Sequence, residues 1–222
     1  MGLIVYGAAL SPFVRKVRVF LAEKGVDYTL ENVNIFPAPD WFADISPLKR
    51  IPVLKDEDND VTLADSSAIC GYLEKLHPEP ALYPSAPADY GKALWFEEYG
   101  DSEMAGHIGM GTFRPMVVSR LMGKEPDSET AQKTVEEKLP RYFAYLNEQV
   151  AGKEFLAGGM FSIADISVAT GFVNFAHAGF RPDETAYPEL TAYLARIHGR
   201  ASFAACITEE TAILDKLLKR TG

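Results

Sequence analysis

The sequence predicts a small mixed α/β domain followed by an all-helical one. Three observations predict it. Strand and helix signals alternate through residue 76, a proline-rich stretch then breaks every periodicity, and the signals beyond it are helical with no return of a strand pattern.

The elements follow in order. Leu3–Tyr6 (LIVY) is a short apolar run with the character of a buried strand. Pro12 to Lys24 places Phe13, Val17, Phe20 and Leu21 at helical spacing, and Lys24-Gly25 is a stop signal. VDYTLENVN, 26–34, predicts a strand. IPVLKDEDNDVTLAD, 51–65, predicts two short strands around the acidic turn Asp56 to Asp60. SSAICGYLEKL, 66–76, returns to helix, with Ile69, Leu73 and Leu76 on one stripe. The first domain is expected over 1–77.

Residues 78–90 are expected to be linker, because Pro78, Pro80, Pro84 and Pro87 leave no room for regular structure. The helical domain is expected over 91–222. Within it Leu139, Phe143, Leu146 and Val150 recur at helical spacing, and Pro140 predicts a kink or a broken start there. FSIADISVATGFVNFA, 161–176, is the sharpest local signal. Ser162 is expected as N-cap and Asp165 at N3, an Asp version of the capping box, with Phe161 and Ile166 as its hydrophobic staple. The helix that follows is apolar all round, the mark of a buried core helix.

Bulk properties narrow the function. The 222 residues suffice for a real core. A formal net charge of -9 argues against a phosphate backbone as partner, and Arg15-Lys16-Val17-Arg18 is too short a basic run to reverse that. Only Cys70 and Cys206 are present, with no zinc-type spacing, so neither a metal site nor a disulfide framework is expected. No signal segment and no membrane-length apolar stretch are visible, so a cytoplasmic protein without membrane contact is expected.

Three positions carry chemistry. Ser11 precedes Pro12 at the seam between strand and helix. It fits an N-cap, with proline at N1 where its missing N–H costs nothing. It equally fits a hydroxyl donor to an anion, because the helix N-terminus favours negative charge. A thiol ionises near pH ~8.5, and lowering that by ~2 units takes roughly 2.7 kcal/mol. A charge-assisted hydrogen bond plus the helix dipole supplies energy of that order. Ser11 lacks a GxSxG elbow and a His/Asp relay; His77, His107, His177 and His198 all lie at or beyond the linker.

The second position is Arg50-Ile51-Pro52. A proline opening a strand marks an edge or a cis bond, and either leaves Ile51 able to offer its backbone to a peptide-like ligand. The third is Asp65-Ser66, where a carboxylate can hold an amine and a serine capping the next helix can hold a carboxylate; both residues also fit plain caps. A thiolate, a peptide backbone and an amino-acid head group, in that order, describe glutathione.

Here the sequence resembles the cytosolic glutathione S-transferase superfamily. SPFVRKVRVFLAEKGVDY, PLKRIPVLKD and LADSSAICGYLE resemble its glutathione-site half. FLAGGMFSIADISVA and YPELTAYLARI resemble its helical half. The resemblance implies an N-terminal thioredoxin-like domain, a C-terminal helical bundle and a homodimer, in a serine-type class (tau- or theta-like, or a related bacterial one). It implies glutathione as co-substrate and a small hydrophobic electrophile as second substrate. Ser11 then matches the thiolate-stabilising serine, flanked by Phe13. Pro52 matches the cis-proline, so Ile51 pairs through its backbone. Asp65 and Ser66 match the acidic-Ser pair at the γ-glutamyl end, and Arg50 a basic residue at the glycine carboxylate.

Departures are visible. The acidic residue is commonly Glu; Asp65 is one methylene shorter. Tyr6 is a rival to Ser11, as in tyrosine-type classes. MAGHIGMGTFRPMVV, 104–118, suits a hydrophobic pocket, with His107, Met110 and Arg114 as expected lining residues, although it suits a helical core as well. The reaction expected is conjugation, dehalogenation, ether cleavage or peroxide reduction. The alternatives are a glutathione-dependent cis–trans isomerase of the maleylacetoacetate type, whose serine-cysteine cluster ALSPFV lacks, and a non-enzymatic binding module on the same fold.

Overall fold

The computed structural model describes residues 2–35 and 37–219. The chain divides into two compact units, Met1–Leu82 and Tyr83–Gly222.

The first unit is a mixed sheet with helices. Its strands are β1 (Leu3–Tyr6), β2 (Tyr28–Glu31), β3 (Val53–Asp56) and β4 (Val61–Leu63), in the order β2-β1-β3-β4. β1 pairs parallel with β2 and antiparallel with β3, and β3 pairs antiparallel with β4. Its helices are α1 (Pro12–Lys24), the single turn α2 (Phe42–Ile45) and α3 (Ser66–Leu76). The parallel β1–β2 pair needs a crossover, and α1 supplies it. α1 ends where Gly25 turns left-handed (φ 65°) and returns its N–H to Ala22 and Leu21. The stretch read as one strand over 26–34 is shorter at both ends.

Two features escaped the sequence reading. Arg15, Lys16 and Arg18 are buried, so the basic run forms no surface patch. Lys24 is buried as well, and its ammonium meets Glu74 Oε2 at 2.5 Å and the Pro80 carbonyl at 2.6 Å. Glu74 also accepts from the Leu82 N–H, so one ion pair ties the end of α1, α3 and the tail of the unit together. The acidic turn between β3 and β4 is organised by buried Asp56. Its carboxylate accepts from the N–H groups of Asp58 and Asn59, the Asn59 amide and the Tyr72 hydroxyl. Burial pushes its pKa up, but these hydrogen bonds outweigh burial and hold it below the usual carboxylate value.

The only regular secondary structure among the described residues of the second unit is helical. α4 (Pro87–Glu98) begins inside the stretch expected to be linker, with Pro87 at its first position. It runs into a π-helical segment, Tyr99–Val118, whose hydrogen bonds span five residues: the Ser119 N–H reaches the Arg114 carbonyl. Such winding is normally confined to a single turn. α5 (Ser119–Leu121) and α6 (Ser128–Lys133) follow, then a second π turn, Thr134–Lys138. α7 (Pro140–Val150) starts at Pro140, the broken start expected there. α8 (Ile163–His177), α9 (Pro188–His198) and α10 (Ala201–Leu218) complete the unit. No helix among the described residues is long and apolar enough to cross a membrane.

α8 is the axis of this core, buried at every residue from Ile163 to Phe175. The capping box is present: Asp165 Oδ2 accepts from the Ser162 N–H at 2.9 Å. Asp165 does more than cap. Its Oδ1 accepts from the Leu156 N–H at 2.9 Å and the Tyr193 hydroxyl at 2.8 Å. Burial pushes its pKa up to about 6 against the pull of those bonds. The π segment packs on α8 with backbones nearly touching at Gly100, where a Cβ would lie 2.6 Å from the Ser167 carbonyl.

Candidate glutathione site

Three loops of the first unit converge on one place. Ser11 is the N-cap of α1 in extended backbone, with Pro12 next and no acidic residue in the first turn to offset the dipole. Its Oγ accepts from the Val14 N–H at 3.5 Å, a bond at the outer limit of useful length. The cap is therefore loose, and the hydroxyl proton donates to no group among the described residues.

Gly7 brings the second loop close. A Cβ there would strike Val14 Cγ2 at 2.4 Å and approach Ile51 Cβ at 3.5 Å, so glycine lets the first turn of α1 and the segment before β3 meet. The Ile51–Pro52 bond is cis, and β3 is an inner strand rather than an edge. The Ile51 amide and carbonyl enter no turn, loop or cap hydrogen bond among the described residues. Ser46, fully buried, holds the preceding residue from both sides. Its Oγ donates to the Arg50 carbonyl at 2.8 Å and accepts from the Arg50 N–H at 3.0 Å. Arg50 itself is exposed, and Phe13 is partly so.

The third loop corrects the sequence reading. The cap of α3 is Asp65, not Ser66, because the Asp65 carboxylate reaches both free amides: Oδ1 accepts from Ser67 N–H at 3.0 Å and Ala68 N–H at 2.9 Å. Ser66 is buried at the first helical position. Both cap bonds fall on Oδ1, which leaves Oδ2 for another donor. Buried Lys16 spans the helices, its ammonium donating to Ser67 Oγ at 2.9 Å. Lys16 thus ties α1 to the first turn of α3; the N-terminus of α1 has no acidic residue in its first turn, whereas that of α3 is met by the Asp65 carboxylate. Sequence reasoning missed Gly7, Lys16, Ser46 and Ser67. Of these only Gly7, a glycine straight after a strand, left a local signal.

Tyr6 is placed differently from Ser11. It packs with the cluster of Val33, Phe42 and Val53, its ring 6.0 Å from Trp41. The expected electrophile contacts lie on the π segment of the second unit. His107 is engaged by α7: its Nε2 lies 2.7 Å from the Tyr142 hydroxyl, which donates to Glu103 at 2.9 Å and also accepts from Arg141. Met110 and Arg114 are exposed.

Comparison with known proteins gives the family. The family model for the glutathione S-transferase N-terminal domain matches residues 5–81, and that for the C-terminal domain matches 113–209. The chain belongs to the glutathione S-transferase family. Among curated relatives it is 27% identical over 195 residues to a stringent starvation protein A homolog of Haemophilus ducreyi, covering 88% of this chain and 85% of that one. It is 26% identical over 166 residues to glutathione S-transferase omega-1 of Rattus norvegicus, covering 72% of this chain and 62% of the relative. Among solved structures, a glutathione S-transferase from Rhodospirillum rubrum superposes with a TM-score of 0.84 at 28% identity, covering 92% of this chain and 91% of that one.

Proposed function

We propose that the protein is a glutathione transferase that ionises the glutathione thiol and directs it at a hydrophobic electrophile. The observation that carries this reading is the Ser11 hydroxyl, at a helix N-terminus with no acidic residue in its first turn and with a proton donated to no group among the described residues. A thiolate there gains a charge-assisted hydrogen bond and the dipole, together of the order of the ~2.7 kcal/mol that a ~2 unit drop in thiol pKa requires.

The other roles follow from what each group has left to offer. The Ile51 backbone pairs with the cysteinyl residue by strand addition. Asp65 Oδ2, which accepts no hydrogen bond among the described residues, takes the γ-glutamyl ammonium while Ser66, at the start of α3, takes its carboxylate. Arg50 meets the glycine carboxylate and Phe13 flanks the thiol. The bound thiolate then forms a bond to the electrophilic atom, and the displaced group leaves with the electron pair. Holding both reactants together makes the step effectively unimolecular. Met110, Arg114 and His107 are the proposed contacts for the electrophile. Conjugation, dehalogenation, ether cleavage and peroxide reduction all use this thiolate.

Calorimetric titration of glutathione into wild type and Ser11→Ala, with thiolate absorbance read near neutral pH, tests the reading. The expected result is binding in both and a thiolate signal in the wild type alone. An unchanged signal in Ser11→Ala would reduce Ser11 to a helix cap. A second reading, the fold serving as a binding module without transfer chemistry, is favoured by the likeness to a stringent starvation protein. It predicts no thiolate signal in the wild type.

A further inference from the structure

The helical unit holds a concavity of about 460 Å³ between the start of α4 and the irregular loop before α8. Asp89 and Lys92 wall one side, and the chain from Lys153 to Gly159 walls the other. Its frame is fixed. The Arg196 guanidinium donates to the Lys153 carbonyl at 3.1 Å, the Leu156 N–H is held by Asp165, and a Cβ on Gly158 would lie 3.0 Å from Pro84, ahead of α4, and 3.5 Å from Asp89 within it.

The backbone donors of its two glycines are unspent among the described residues. Gly158 and Gly159 are both left-handed (φ 63° each), and neither amide donates to a turn, loop or cap hydrogen bond among the described residues. α4 opens on Ala86, which provides no side-chain cap. Lys92 and Lys153 stand beside each other. The Lys153 pKa is held below the usual lysine value, first by desolvation and then by the Lys92 ammonium. The Lys153 ammonium donates to the Gln149 carbonyl at 2.7 Å. Asp89 and Glu154 are also in the wall, yet neither lysine forms an ion pair among the described residues. In a chain of net charge -9, two adjacent lysines without a carboxylate partner leave a mutual repulsion that a bound anion would relieve.

We propose that this concavity binds a small oxyanion, a phosphate or phosphate-ester group, held between Lys92 and Lys153 with the Gly158 and Gly159 amides as backbone donors. The site lies wholly within the helical unit and uses none of the residues assigned to glutathione.

Inorganic phosphate titrated into the full-length protein by calorimetry tests this, with chloride as the control at equal ionic strength. Saturable phosphate binding is expected, weakened about tenfold or more in each of Lys92→Ala and Lys153→Ala. Lysine-to-arginine variants should bind within about threefold of wild type, because the charge and donors stay. Ser11→Ala should bind phosphate as wild type does, which separates this site from the proposed glutathione site. Melting temperatures equal to wild type establish that the lysine variants are folded. Absence of saturable binding, or a folded double alanine variant that binds as tightly as wild type, would overturn the proposal.

Discussion

Replacing Asp165 with asparagine should change how stability depends on pH, with the sign set by burial. The folded carboxyl has a pKa of about 6 and the ordinary value is 3.8. Between those values the folded chain binds the proton and the unfolded chain does not, so stability falls as pH rises through the window. At ~1.4 kcal/mol per pH unit the loss is about 3 kcal/mol by pH 7.5. Asparagine removes this dependence. It keeps an acceptor for the Leu156 N–H and the Tyr193 hydroxyl, but its amide then meets the Ser162 N–H donor to donor. That costs about 1–3 kcal/mol at every pH. Asp165→Asn should therefore be about 1–3 kcal/mol less stable than wild type near pH 4, and the difference should shift by about 3 kcal/mol in the variant's favour by pH 7.5, closing or reversing the gap. Urea titrations across this range measure it. In a Trp41→Phe background the remaining tryptophan is Trp95 on α4, whose indole donates to the Tyr145 hydroxyl, so its fluorescence reports the helical unit. A wild-type–variant gap that stays constant across the range would refute the reasoning.

Two other outcomes follow from buried geometry. Ser46→Ala deletes the clamp on both backbone groups of Arg50 and should cost about 1–3 kcal/mol in urea unfolding; under the proposed function glutathione binding should weaken with it, and unchanged affinity would detach Ser46 from the site. Gly100→Ala forces a methyl against the Ser167 backbone and should cost roughly 1–3 kcal/mol, read as a lowered melting temperature of the helical unit.

What the sequence disclosed, and what it hid, divides by range. The starts of α1 and α8 are legible because their signals are local: Ser11-Pro12 in one case, Ser162 and Asp165 in the other. β1, α1 and α3 follow from periodicity. The cap of α3 was misplaced by one residue because aspartate and serine both make good caps, and only the geometry of the Ser67 and Ala68 amides selects Asp65. The burial of Lys16 was invisible because its acceptor is Ser67, 51 residues away. Ser46 acts across irregular backbone, where no periodicity points at its partner. The π winding of Tyr99–Val118 has no local signature either. Two of its glycines, Gly100 and Gly111, stand where α8 and Thr134 come closest.

The Asp165 carboxylate has one more implication. The stretch between α7 and α8 has no regular structure, and such loops ordinarily open on their own, far more often than the core. Here the Leu156 amide shares its acceptor with the Tyr193 hydroxyl of α9, and the other oxygen of that carboxylate holds Ser162, the cap of α8. An opening that frees Leu156 strands a buried carboxylate, so fluctuations of this loop are coupled to those of two helices. Slow hydrogen exchange at Leu156, close to the rate of the α8 interior, is how a surface loop wired into the core would announce itself.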